Sequence, residues 1–140
     1  MYPLTSLLER KIWTYLNSKA DVLAIADVKD SHPKVSTDLL QGKGRVVINS
    51  SGNQGITLFL TNKISKPLFR FTCYSPTRST CRQLQELLIN AFEHWSKTDF
   101  VMTEQDLQLT TLEGLIEPAF EPSVNLYYSS VLYQFHLSKY

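Results

Sequence analysis

Leu4, Leu7, Leu8, Ile12, Tyr15 and Leu16 recur at spacings of three and four, with Glu9, Arg10 and Lys11 on the opposite side. That period predicts an amphipathic helix from Pro3 to Leu16. Pro3 suits the first helical position, where its missing N–H costs nothing, and Asn17-Ser18 supplies a stop. Ala20 to Val28 keeps no clear period: it can continue as helix or form a short strand, and it is read as a loop with a strand at Val22 to Ile25. Lys29 to Arg45 contains His32-Pro33, Ser36, Thr37, Gly42 and Gly44 among four bases and two acids. It reads as a long, basic, mobile loop, and connections of that length are usually functional or disordered.

Arg45 to Asn49 and Ile56 to Thr61 flank Ser50 to Gly55, a run of residues that tolerate turns, and the pair predicts a hairpin. Asn62 to Pro67 then turns the chain into a strand at Leu68 to Tyr74. There Phe69, Phe71 and Cys73 alternate with Arg70, Thr72 and Tyr74, so the apolar side faces the helices. Ser75-Pro76 predicts the start of a second helix. In it Cys81, Leu84, Leu88, Ala91 and Trp95 step by three and four, and Leu87 and Phe92 widen the stripe. A strand at Leu107 to Leu115, a loop marked by Pro118 and Pro122, and a final strand at Asn125 to Leu137 complete the chain. The last strand is partly apolar on both sides, which predicts a central or partner-covered position. The expected fold class is α+β: one domain over 1–140, with an antiparallel (mixed) sheet packed against two helices in the order α-β-β-β-α-β-β.

The 140 residues are 43% hydrophobic and 19% charged, the composition of one ordinary folded domain rather than a disordered or disulfide-built chain. No apolar run approaches the ~20 residues that span a bilayer. No basic segment followed by an apolar one forms a leader at Met1, so the expectation is a protein made and kept in the cytoplasm, away from membranes. The formal charge of +1 conceals a division. Residues 1–70 hold 10 Lys/Arg against 5 Asp/Glu, and residues 71–140 hold 4 against 8. Between Thr98 and Ser138 there is no Lys or Arg at all, while Asp99, Glu104, Asp106, Glu113, Glu117 and Glu121 all fall there. Either the halves neutralise each other inside one fold or they serve a partner surface.

Motifs for catalysis are missing: no Walker-type loop, GxGxxG, GxSxG or HExxH occurs. Cys73 and Cys81 form no CxxC, and His32, His94 and His136 are scattered, so no metal and no cofactor are expected. Cys81 opens the second helix, where a dipole can stabilise a thiolate, yet its place on the apolar stripe marks it as a core residue. The carboxylate pairs Glu117/Glu121 and Glu104/Asp106 read as solvated surface rather than acid/base machinery. Arg70, Arg78 and Arg82 bracket Tyr74 and Phe69, a mixture that single-strand binders use for stacking, although Phe69 and Arg70 fall on opposite faces of a regular strand.

The sequence of elements resembles the tail terminator, or tail completion (head-tail joining), proteins of long-tailed bacteriophages. The similarity lies in the helix Leu4 to Leu16, the loop into Arg45 to Asn49, the passage FRFTCYSPTRSTCRQLQELLINAF from Phe69 to Phe92, and the closing YYSSVLYQFHL from Tyr127 to Leu137. The resemblance implies a non-enzymatic virion assembly protein: a ring, usually hexameric, at the head-proximal end of the tail that ends tube growth and offers a head-attachment surface. It further implies tail tube protein, head-completion (neck) protein and DNA passing through the ring as partners, and a location in the virion tail after assembly in host cytoplasm. Carried over by segment, it makes Lys29, Lys34, Lys43, Arg45, Asn53 and Gln54 candidate ring, tube or DNA-channel contacts. Glu104, Asp106, Glu113, Glu117 and Glu121 are the candidate acidic partner surface. The alternative is a cytoplasmic adaptor that binds nucleic acid or protein through the basic 29–45 loop, and a small hydrolase using Cys81 or a carboxylate pair comes third.

Overall fold

The computed structural model describes residues 4–30, 43–58, 63–102 and 105–139. The first helix, α1, runs from Leu4 to Asn17, and a single turn, α2, from Ala20 to Leu23. Then come β1 (Ala26–Asp30), β2 (Gly44–Leu58), β3 (Lys63–Ser75), α3 (Arg78–Glu93), a 3-10 turn (Lys97–Phe100), β4 (Gln105–Glu121) and β5 (Leu126–Lys139). The five strands form one open mixed sheet in the order β1-β2-β3-β5-β4, in which only β1 with β2 is parallel. The fold is α+β, as the sequence predicts, and β5 is interior, as its two-sided apolar character requires.

The helices cover one face of this sheet. Val28, Val46, Ile48, Phe69, Phe71, Cys73, Val131, Tyr133, Phe135 and Leu137 point into the buried layer between sheet and helices. From the other side come Leu8, Ile12, Tyr15 and Leu16 of α1 and Leu84, Leu88, Ala91 and Phe92 of α3. Phe92 sits at the centre: its ring lies 4.7 Å from that of Phe71 and 5.1 Å from that of Tyr133. Tyr15 joins the two helices, its hydroxyl donating to the carbonyl of Ala91. The cap of α3 is Thr77 rather than Ser75. Thr77 Oγ1 accepts from the Thr80 N–H, whereas Ser75, the last residue of β3, accepts from the Thr77 N–H at 3.2 Å.

Four expected boundaries differ. Residues 45–49 and 56–58 do not flank a turn: β2 passes through Ser50 to Gly55 and pairs with β3 on both sides, absorbing the irregular residues in register shifts at Ser50/Gly52 and Asn53/Ile56. Phe59 to Asn62 lies outside the described residues. Pro67, expected in a turn, stands inside β3 beside one of those shifts, and Pro118, expected in a loop, stands inside β4 at the Ile116/Ala119 shift. Both positions suit a residue that cannot donate to a ladder. Val22 to Ile25 is helical turn, and the strand begins one residue later.

The fourth difference concerns the long basic loop. Lys29 and Arg45, its expected ends, lie in β1 and β2, where Asp27 stands opposite Arg45 and Lys29 opposite Val47. Parallel neighbours cannot be joined by a tight turn, because the chain must return to the starting end of the first strand, a path of about a dozen residues. Thus 31–43 has the length the topology demands, independent of any binding role. Residues 31–42, including Lys34, lie outside those described.

Candidate interaction surface

β4 is one of the two edge strands of the sheet and, at 17 residues, the longest of the described elements. Besides its ladder with β5, side-chain hydrogen bonds of Gln85 and Thr110 fix it to α3. Gln85 of α3 is buried and its amide donates to the carbonyls of Ile116 (3.0 Å) and Ser130 (3.1 Å), pinning β4 at its irregular stretch to β5. Thr110 Oγ1 donates to the Phe92 carbonyl at 2.7 Å and accepts from Trp95 Nε1 at 3.1 Å, closing the end of α3 against the strand. These bonds satisfy polar groups that would otherwise be buried alone.

Beyond these anchors β4 leaves apolar side chains in solvent. Leu109 is 54% exposed, Leu115 47%, Ile116 41% and Phe120 48%. They include both orientations of the strand: Ile116 stands opposite Ser130 and Leu115 opposite Val131. Phe120 also meets Tyr127 edge-on at 5.3 Å. Scattered exposed leucines need no explanation, but four large apolar groups left in solvent along one edge strand, on both of its faces, are more than scatter. Natural edge strands are often guarded by lysine; β4 has neither Lys nor Arg.

The same strand holds four of the five acids expected on a partner surface. Glu113 is exposed. Glu117 pairs with Arg82 of α3 at 3.0 Å, both side chains being at least half exposed, a contact worth little in water. Glu121 shapes the following turn by accepting from the Ser123 hydroxyl (2.9 Å) and N–H (3.2 Å), ahead of Asn125 with its positive φ of 54°. Asp106 lies opposite Ser138. Glu104 is outside the described residues. Asp99 belongs elsewhere: it accepts from the Ser96 N–H at 2.8 Å and caps the 3-10 turn.

At the opposite edge, Lys29 and Lys43 are exposed. Arg45 is committed within the sheet, where Nε and a terminal nitrogen reach the two oxygens of Asp27 at 3.0 and 2.9 Å. This forked pair ties β1 to β2 and holds the guanidinium still more firmly protonated than usual. Asn53 and Gln54, expected at a hairpin tip, lie within β2 at a register shift. Lys29 on β1 and the acids of β4 thus fall on opposite edges of one sheet, while Arg45 belongs to the second strand.

The stacking platform expected around Tyr74 does not form. Phe69 is fully buried against Phe135, while Arg70 on the other face donates to Ser130 Oγ at 2.9 Å, and Arg82 is turned to Glu117. Both cysteines are buried and free. Burial, with Cys81 nearby, pushes the Cys73 thiol up to about 12, and burial pushes Cys81 up to about 11. Cys81 Sγ donates to the Tyr127 carbonyl at 3.2 Å, a neutral packing contact rather than a poised nucleophile. Neither thiol should react with iodoacetamide at pH 8 in the folded protein, whereas both should react in denaturant. Rapid alkylation of Cys81 in the native state would contradict this placement. Because both values are raised on folding, the associated stability is complete below about pH 8.5 and falls as pH climbs towards the native values.

Among the described residues no group of three or more His, Cys, Asp or Glu could hold a metal ion, and no helix is long and apolar enough to cross a membrane. No family model and no curated protein matches the sequence. The fold is similar to that of a chain in a solved structure, "Virion of native gene transfer agent (GTA) particle", with a TM-score of 0.72, 12% identity and coverage of 99% of both chains. At that identity the likeness is one of fold.

Proposed function

We propose that this protein is a non-enzymatic structural subunit of a phage-like virion, forming a ring, hexameric by the sequence resemblance, at the head-proximal end of the tail. The ring ends growth of the tail tube and presents the surface to which the head attaches. Its partners are the tail tube protein on one side and the head-completion protein on the other, with DNA passing through its centre. The observation that carries this reading is the likeness in fold to a virion chain along the full length of both proteins. The exposed apolar side chains of β4 support it, since such groups serve contact surfaces between proteins.

The adaptor reading is weaker because its main support, the 29–45 segment, has a topological reason for its length and has Arg45 bound to Asp27. Light scattering and native mass spectrometry of the purified protein, followed by electron microscopy with tail tubes, test the proposal. The expected result is a closed oligomer seated at tube ends with little affinity for free DNA. A monomer at every concentration, with bare tube ends, would overturn it; tight DNA binding that falls steeply with salt would favour the adaptor.

A further inference from the structure

We infer that copies of this chain join head to tail, the acidic, apolar β4 edge of one seated against the basic β1 margin of the next. The inference rests on the ring reading above and names its contact surface. β1 and β4 are the two ends of the same five-stranded sheet, so a contact between them uses two different surfaces. Contacts of that kind propagate and close into a ring when the rotation allows.

Charge selects this pairing. β4 carries Asp106, Glu113, Glu117 and Glu121 with no base of its own, and Glu117 is offset by Arg82 of α3. Two β4 edges brought together in a two-fold contact would oppose acid to acid, which complementary interfaces avoid. At the other margin Lys29 of β1 and Lys43, just ahead of β2, are exposed, and Asp27 is neutralised by Arg45; with Asp30 at the end of β1, three bases stand against two acids, a net +1. Across this contact Lys29 and Lys43 face the β4 carboxylates. Leu109, Leu115, Ile116 and Phe120 supply the apolar burial that single exposed ion pairs cannot.

The two edges also differ in their main chain. Ile25 accepts from the Gly44 N–H at 2.8 Å, so by alternation the Val28 carbonyl points away from β2. There Trp13 Nε1 donates to it at 3.1 Å. An indole laid on an edge blocks strand addition at that point. The subunits therefore meet through side chains, with Trp13, itself 39% exposed, available to the apolar groups of the incoming β4.

Cross-linking of mixed single-cysteine variants tests the arrangement in the full chain, since the natural cysteines are buried. Glu113→Cys or Leu109→Cys protein is mixed with Lys29→Cys or Lys43→Cys protein and treated with a short bismaleimide. Each variant is first checked for wild-type melting. The expected product is a covalent dimer in the mixtures and not in any variant alone. Dimers of the Glu113→Cys or Leu109→Cys variants with themselves would show β4 meeting β4 and overturn the inference. An intact ring with no product in any mixture would overturn it while leaving the ring standing. Absence of any oligomer in the wild-type protein would overturn both. Lys43→Glu should in addition weaken association about five- to tenfold at low salt and less at high salt.

Discussion

Replacing Leu88 with Asp abolishes the cooperative melting transition of this protein. Leu88 lies in the middle of α3, is fully buried, and belongs to the layer that joins the helices to the sheet. A carboxylate there has lost its water and gains no partner, a penalty of several kcal/mol even after its pKa rises to keep it protonated. A domain whose whole stability is about 5–15 kcal/mol does not reliably survive that. Phe92→Ala gives the graded version of the same experiment. Its ring meets those of Tyr15 at 6.0 Å, Phe71 at 4.7 Å, Tyr133 at 5.1 Å and Phe135 at 5.6 Å. Its loss should cost about 3–5 kcal/mol in urea titrations. Gln83→Ala, on the exposed side of the same helix, should stay within about 0.5 kcal/mol of wild type. A Leu88→Asp protein that melts like wild type would show that α3 does not pack on this sheet.

That helix was legible because its apolar period coincides with the face it buries. From Cys81 to Phe92 the stripe is set by local geometry, and β3 beside it alternates cleanly from Phe69 to Tyr74. Strand limits were harder to read because they depend on pairing with distant residues. Ser50 to Gly55 has turn chemistry, yet β3 pairs with β2 before and after it, and the ladder carries the chain across. β1 offers only Ala26 and Val28 as apolar residues among Asp27, Lys29 and Asp30, too short an alternation to stand out. Its partner β2 begins 14 positions after Asp30, and the intervening length that resembled a functional loop is the return path of a parallel pair.

The candidate surface was legible in its charge and hidden in its apolar part. A stretch without Lys or Arg is visible in any sequence, but counting charges treats each as free. Arg45 is neutralised by Asp27, Glu117 is paired with Arg82, and Asp99 serves as a cap. Leu109, Leu115, Ile116 and Phe120 carry the β-strand character of a half-buried element. Their exposure follows from β4 being last in the order of strands, a property of topology rather than of period.

Gly44→Val should lower stability by about 2–4 kcal/mol, against the usual direction for a glycine in a strand. Replacing such a glycine with a β-branched residue ordinarily favours the strand, by up to about 1 kcal/mol. At Gly44 space decides instead. It is buried at the start of β2 on the helix side, and a Cβ there would stand 2.8 Å from Leu84 Cδ1, 3.0 Å from the Tyr74 carbonyl and 3.4 Å from the Ile25 carbonyl. Leu84 is itself fully buried and cannot swing away, and the carbonyls belong to the ladder and to the Gly44 N–H bond that starts it. Overpacking of this kind costs about 1–3 kcal/mol for the first carbon, and the two further methyls of valine add to it. Gly114 provides the comparison within the same sheet. A Cβ there would meet only Leu132, at 3.7 and 3.8 Å, ordinary contact distances. Gly114→Val should therefore be neutral or slightly stabilising, while Gly44→Val lowers the melting temperature by roughly 10 °C. Equal effects at the two glycines would mean that the close approach of α3 to the start of β2 is not maintained in solution.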